Sequence, residues 1–283
     1  MKVIHLILLL CFLLGACQTE VKEQSKTEKE SSNIPVVSPI KFQNKGHELV
    51  YKMVQKVGDY EKLKALKDVS FTYTFQTIDH KTDVSKEYYI FEQELSYGNY
   101  EKHERTFPAL DGKIEQGFDG HSFWMKHKGV LLEAEEYLKP TEFRRKANFY
   151  WFTMMQKLLD SGLEYEYIKE EIIDRQPYDV VKVLFPLEEG KARGTYQLYL
   201  NQNTHLVDQF LYRVADVKVL DPRLMKIEYE EVDGIFIPST RKNTKSNWDG
   251  VVFKEEWNSM FWTDIKFDNG LSKEIVAIKK GKN

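Results

Sequence analysis

Three histidines are the first side chains in this sequence that could do chemistry together. His121 directly follows the turn-forming pair Asp119-Gly120, and His103 and His127 lie near it in the sequence. If neighbouring hairpins brought the three imidazoles together, they could hold a metal ion, because neutral imidazole is a common metal ligand. Histidines scattered over a surface are the commoner arrangement, so we expect no metal site and no other cofactor.

Four glutamates could form the carboxylate pairs that general acid and base catalysis uses. Glu92, Glu94, Glu101 and Glu104 could face one another across a hairpin, but the chain has 44 acidic residues and such pairs arise by chance. Solvated strand faces explain them better. The sequence has no His-Glu-x-x-His, Gly-x-Ser-x-Gly, phosphate-loop or Cys-x-x-Cys motif. We therefore expect a protein that is not an enzyme, and a hydrolase is the least favoured function.

The two cysteines, Cys11 and Cys17, both lie at the start of the chain. Cys11 belongs to the apolar run 3–14, which follows Lys2 and ends in small residues. This run is too short to span the roughly 30 Å hydrocarbon layer as a permanent helix, and it is typical of a secretion signal. A buried core helix is the less favoured alternative. We therefore predict that residues 1–16 are a signal peptide.

The segment Leu14-Gly15-Ala16-Cys17 resembles the lipobox of bacterial lipoproteins. The resemblance implies that the signal is cut before Cys17, that the Cys17 thiol receives a diacylglycerol, and that the new N-terminus carries a fatty acid such as palmitate. Several acyl chains anchor a protein stably, because burial contributes about 0.8 kcal/mol per CH₂. Gln18 resembles the outer-membrane sorting rule, whereas pairs such as Lys22-Glu23 resemble signals for export to the cell surface. We expect an outer-membrane lipoprotein facing the periplasm, with surface exposure as the alternative.

The charge balance of the mature chain is close to neutral. Removal of the signal takes one basic residue from the 41 in the sequence and leaves all 44 acidic residues. A balance of this kind does not favour nucleic-acid binding. Residues 18–40 are rich in Lys, Glu, Ser and Thr and contain no aromatic residue, which is typical of a solvated linker. We predict a lipidated cysteine with a flexible tether over 17–43 and one thiol-free domain over 44–283.

Two helices are predicted in this domain. Apolar residues recur at helical spacing from His47 to Val57, and the pattern resumes after Gly58 as far as Leu66. A central helix is predicted over 141–160, because Lys139-Pro140-Thr141 is typical of a helix start and apolar residues follow at helical spacing. The N-terminal segment is therefore an interrupted amphipathic helix, and the second helix falls in the middle of the domain.

Most of the remaining chain alternates with the period of two that is typical of strands. Phe71, Tyr73 and Phe75 alternate with polar residues, and Asp-Gly pairs mark several of the later corners. About 11 strands in succession predict one antiparallel meander, without the strand-helix alternation of Rossmann or TIM folds. Because so large a sheet cannot bury one face alone, we predict a mainly β (α+β) fold. In it, a large curved antiparallel sheet, or incomplete barrel, is closed by the N-terminal and central helices.

The central helix carries a stripe of aromatic and methionine side chains. Ordinary core packing is the simpler explanation of such a stripe. The alternative is an adaptable lid over an apolar cavity, since methionine side chains repack easily around irregular ligands. The residues predicted to line this cavity are Phe118, Phe123, Trp124, Tyr150, Trp151, Met154 and Met155.

The order of elements and several strand segments look like the LolA/LolB-like lipoprotein-carrier fold, over roughly residues 44–265. The segments that carry the likeness are 58–66, 165–174, 178–183, 196–201, 204–207 and 232–238. The resemblance implies an incomplete β-barrel with helices as a lid over an apolar cavity for acyl chains, and LolB-type members are themselves lipidated. No residue that handles cargo in the carriers is matched by a local motif here.

Two functions follow from these observations. The preferred one is a membrane-anchored envelope lipoprotein that binds a lipid or other apolar ligand between the sheet and the lid. The alternative is a non-catalytic structural or assembly lipoprotein that binds a protein partner through its sheet. An open cavity favours the first function, and a closed core favours the second.

Overall fold

The computed structural model describes residues 40–187, 189, 193–214 and 221–278. The predicted signal peptide, Cys17 and most of the predicted tether lie outside the described residues. From Lys41 onward the chain forms one compact unit. Its described part contains one antiparallel sheet of 13 strands that is not closed into a barrel, together with helices, so the predicted fold class is confirmed.

The strands follow the chain as a meander that starts in the middle of the sheet. The order across the sheet is β6-β5-β4-β3-β2-β1-β13-β12-β11-β10-β9-β8-β7, so β1 pairs with both β2 and β13, and β6 and β7 form the two edges. The strands are β1 Asp68–Gln76, β2 Thr82–Ile90, β3 Leu95–His103, β4 Ile114–Phe118, β5 Phe123–His127, β6 Val130–Leu132, β7 Glu164–Ile173, β8 Gln176–Leu184, β9 Thr195–Asn201, β10 Val207–Arg213, β11 Arg223–Val232, β12 Ile235–Lys245 and β13 Asn258–Phe267.

The N-terminal helical segment has the interruption that the sequence predicted. Helix α1 spans Lys45–Val57, and the Asn44 side chain caps it by accepting the His47 backbone N–H. Gly58 follows with φ of 92°, a left-handed conformation that favours glycine and ends the helix. Helix α2 spans Tyr60–Ala65.

The central helix begins earlier and ends earlier than predicted. Helix α3 spans Glu135–Thr153 and includes Pro140. Proline removes only the hydrogen bond to the Glu136 carbonyl, and Glu136 is exposed, so water can bond to that carbonyl instead. Beyond the helix, a short 3₁₀ helix spans Gln156–Leu159.

The main core lies between the helices and one face of the sheet, which we call the inner face. Helix α1 contacts β7, β8 and β12, whereas α3 contacts β3, β4 and β5. A smaller cluster on the outer face contains Tyr199 and Leu211 and is covered by Trp248 and Val252 from the loop between β12 and β13. No helix in the described ranges is both long enough and apolar enough to cross a membrane.

Candidate functional site

The C-terminal half of α3 fills much of the inner face. Phe149 and Phe152 are buried in the main core, as are Met154 and Met155 just beyond the helix. The Phe152 ring stacks on Phe71 of β1, with ring centroids 4.8 Å apart. The two methionines that were predicted as cavity residues therefore lie in the packed core.

A buried ion pair joins α3 to the sheet. The Arg145 guanidinium donates to both carboxylate oxygens of Glu87 on β2, at 2.7 and 3.1 Å, and neither side chain is exposed. Burial alone would lower the pKa of Arg145, but the adjacent Glu87 carboxylate outweighs it and raises that pKa. The Ser85 hydroxyl donates a further hydrogen bond to the carboxylate. Both buried charges are therefore neutralised within the fold.

An opening of about 480 Å³ lies between α3 and the β3–β5 end of the sheet, and we call it the Phe123 opening. Phe118 and Phe123 form part of its wall and stack with centroids 4.4 Å apart. Tyr150 of α3 also lines it. At its edge, Lys157 and Glu94 form an ion pair of 2.5 Å. The structure thus brings three of the predicted cavity residues together at an opening with a charged edge.

Phe123 faces the opening on the inner face. Because successive residues of a strand face opposite sides, Trp124 points to the outer face of the sheet. Its indole N–H donates to the carbonyl oxygen of Val276 at 2.7 Å. The ring lies directly over Gly117, where any side chain would collide with it. Trp124 therefore packs the C-terminal segment onto the outer face and does not line the Phe123 opening.

A second opening, of about 240 Å³, lies on the inner face beside the last turn of α3, and we call it the Trp151 opening. Trp151 comes from α3, and Tyr73 and Trp262 come from paired strands with ring centroids 4.9 Å apart. The other apolar residues that line it are Phe75, Tyr212, Met225 and Met260. An aromatic and thioether wall of this kind holds apolar groups by removing them from water.

Arg241 of β12 supplies a positive charge to the Trp151 opening. Its side chain is only 1% exposed, and its guanidinium carbon lies 4.5 Å from the centroid of the Trp262 ring. The Nη2 group donates to the Trp151 carbonyl oxygen at 2.6 Å, and Nε donates to the Pro238 carbonyl oxygen at 3.2 Å. Burial lowers the pKa of Arg241 to about 10, so the guanidinium is still charged at neutral pH. Among the described residues, no carboxylate lies within ion-pair distance of it.

The histidines do not assemble into a metal site. The two ring nitrogens of His103 lie 3.2 and 2.7 Å from the carbonyl oxygens of Phe107 and Gly112, and Nε2 of His127 lies 2.5 Å from that of Asp111. These contacts hold the connection between β3 and β4. In the part of the chain that the structure describes, no group of three or more His, Cys, Asp or Glu side chains is placed to hold a metal ion.

The glutamates singled out in the sequence make structural contacts. Glu94 accepts a hydrogen bond from the Tyr60 hydroxyl at 3.1 Å. Glu104 accepts the backbone N–H of Thr82 at 2.7 Å, and this bond, with Lys102 nearby, lowers the pKa of the Glu104 carboxyl. The other two glutamates are exposed. Their arrangement provides no acid and base pair inside either opening.

Arg145 and Arg241 were not predicted as site residues, although their spacing in the sequence contained a signal for both. In β12, Arg241 lies an even number of residues after the buried Ile235 and Ile237, and all three lie on the inner face. On α3, Arg145 precedes the buried Phe149 by four residues and so lies on the same side of the helix. An arginine at an inward-facing position is uncommon enough to indicate a special role.

Comparisons with known proteins identify similar folds. No family model matches the sequence, and the search of curated proteins gives no match. A DUF1329 family protein from Desulfovibrio piger is 12% identical, with 82% of this chain and 96% of that chain covered and a TM-score of 0.49. A domain assigned as an outer membrane lipoprotein-sorting protein from Vibrio parahaemolyticus is 12% identical, with 81% and 95% covered and a TM-score of 0.48.

A third similar structure is a LolA superfamily protein from Nitrosomonas europaea. It is 13% identical, 82% of this chain and 97% of that chain are covered, and the TM-score is 0.46. The likeness is one of fold.

Proposed function

We propose that this protein is a lipid-anchored lipoprotein of the bacterial cell envelope that binds an apolar or acyl-chain ligand on the inner face of its sheet. The Trp151 opening carries the proposal, because aromatic and thioether side chains meet there beside the end of α3. Apolar ligand surface that enters it leaves water, which contributes about 25 cal/mol per Å². Catalysis is not part of the proposal.

The segment beside the opening is built from side chains that can repack. Helix α3 ends at Thr153, and Met154 and Met155 connect it to the 3₁₀ helix. Methionine side chains are unbranched and adjust to irregular shapes. Most of the inner face is packed, so a ligand longer than the opening would require the segment from Trp151 to Met155 to shift. The ion pair of Arg145 would keep the preceding part of α3 in place.

Membrane anchoring rests on the sequence. The lipobox-like segment 14–17 and the polar stretch 18–40 support a lipid anchor followed by a tether. A flexible chain of that length reaches roughly 25 Å from the membrane. We propose the periplasmic side of the outer membrane as the location, with the cell surface as the alternative.

Native mass spectrometry tests ligand binding directly. Residues 18–283, secreted to the periplasm and purified without detergent, should carry an additional lipid mass that organic solvent removes. A bare protein mass, together with a crystal structure in which side chains fill both openings, would show the proposal to be wrong. A co-purifying protein in place of a lipid would favour the assembly function through the sheet.

A further inference from the structure

Two arginines are buried on the inner face, and they differ in whether a carboxylate pairs with them. Arg145 and Arg241 are each 1% exposed. Arg145 is neutralised by the two oxygens of Glu87, whereas Arg241 has no carboxylate partner among the described residues. Burial of an unpaired charge is costly, and proteins usually pair such a charge or lack it. A charge retained at the opening therefore indicates a role in binding.

The hydrogen bonds of Arg241 leave donors free for a ligand. A guanidinium has five N–H donors. Two bond to backbone carbonyl oxygens, and Nη1 lies 3.5 Å from the sulfur of Met154, a weak acceptor. One N–H on Nη1 and one on Nη2 have no acceptor on the described residues. Two such donors suit the paired oxygens of a carboxylate or phosphate.

The Trp151 opening is lined by both cationic and aromatic side chains. A second cation, Arg223, lines the opening with Arg241, and its Nε donates to the Asn243 side-chain oxygen at 2.9 Å. Trp151 and Trp262 supply aromatic surface to the same opening. A molecule that matches both kinds of side chain has an anionic end and an apolar body.

We infer that the ligand of the Trp151 opening is an anionic amphiphile, whose carboxylate or phosphate binds Arg241 and whose chain lies along the two tryptophans. This inference rests on the proposed function and adds the chemical class of the ligand. An incoming anion accepts charge-assisted hydrogen bonds from the two N–H groups that have no acceptor on the described residues. The aromatic faces that now surround the guanidinium continue to pack against it.

The test compares a carboxylate with its matched alcohol. Dodecanoate, dodecanol, acetate and inorganic phosphate are titrated into delipidated protein containing residues 18–283, which retains the whole chain beyond the lipidated cysteine. Dodecanoate should bind at least about tenfold more tightly than dodecanol. Arg241→Met should abolish that preference, so that dodecanoate and dodecanol bind this variant with equal affinity. The matched control is Lys242→Met, which removes one positive charge from the outer face of the same strand and should keep the preference.

The outcomes distinguish a failure of the inferred ligand class from a failure of the proposed function. Equal binding of dodecanoate and dodecanol by the wild-type protein overturns the inference and leaves the proposed function standing, as does a carboxylate preference that survives Arg241→Met. Acetate or phosphate binding as tightly as dodecanoate also overturns it, since the site would then take small anions. Absence of binding by both dodecyl compounds contradicts the proposed function as well. If Arg241→Met does not fold, the wild-type preference over dodecanol and over the small anions decides.

Discussion

The Arg145 guanidinium and the Glu87 carboxylate form a bidentate ion pair that is fully buried between α3 and β2. Gly98 of β3 lies against this pair, and a Cβ atom there would be 2.8 Å from both Arg145 Nη atoms and from Glu87 Oε1. The pair therefore fixes the middle of α3 on the sheet at close range. In the function proposed above, the segment that would adjust to a ligand is the one that follows, from Trp151 to Met155.

Breaking the pair should destabilise the protein strongly. Glu87→Gln leaves the Arg145 charge buried without a counter-charge, and loss of one partner of a buried pair typically costs about 3–5 kcal/mol. Urea unfolding should show this decrease in the free energy of unfolding. The double variant Glu87→Leu with Arg145→Met removes both charges and should recover most of the loss. Equal stability of the wild type and Glu87→Gln would contradict the structural role.

Gly98→Ala tests the close approach at the same place. The added methyl group collides with the guanidinium, so we expect a loss of about 1–3 kcal/mol in the free energy of unfolding. In an Arg145→Met background the same substitution should cost less, because the guanidinium is no longer there. If Gly98→Ala costs the same in both backgrounds, the collision is not with Arg145.

Most of the fold could be predicted from the periodicity of apolar residues in the sequence. Helical spacing located α1 with its interruption at Gly58, and alternation located most strands, because apolar contacts with one core impose these periods. The prediction of about 11 strands missed β6, since Val130–Leu132 is too short to show alternation. The sequence pattern does not mark the start of β13 at Asn258, because the preceding loop contains apolar residues that cover the outer face.

The candidate site was harder to predict, because its geometry depends on contacts between distant segments. The stripe on α3 located Tyr150 and Trp151, but it could not show that these neighbours line different openings. The alternation of side chains along β5 predicts that Phe123 and Trp124 lie on opposite faces of the sheet. It does not indicate which of the two faces is the inner one. Arg241 stands out because none of the described residues places a carboxylate beside it, and this depends on tertiary structure.

Stability should decrease with acidification partly through His47. The imidazole stacks on Tyr165 with centroids 4.6 Å apart, and burial lowers the pKa of His47 below the usual value of about 6.5. The unfolded chain therefore binds a proton more readily than the folded protein, so stability is lost as pH falls through about 6.5. Urea midpoints should decrease between pH ~7.5 and pH ~5.5. His47→Phe keeps a ring on Tyr165 and should weaken this decrease, and an unchanged profile would contradict the assignment.

Lipidation at Cys17 predicts a change in both mass and location. Cys17→Ser removes the thiol that would carry the diacylglycerol, so the protein should leave the membrane fraction or accumulate as an unprocessed precursor. Mass spectrometry of the mature N-terminus reports the acyl groups. Cys11→Ser is the matched control, because residue 11 belongs to the predicted signal and should be absent from the mature chain. An unchanged membrane fraction without acyl mass in the wild type would refute lipidation.

Trp151 should contribute to ligand affinity more than a tryptophan on the outer face. Trp151→Ala removes an aromatic wall of the opening, and we expect dodecanol affinity to fall about tenfold or more. The control is Trp257→Ala, because the Trp257 indole bonds to Glu255 and packs with Lys226 and Lys242, away from the opening. Fluorescence titration of both variants provides the comparison. Equal losses in the two variants would mean that dodecanol binds without using the inner face.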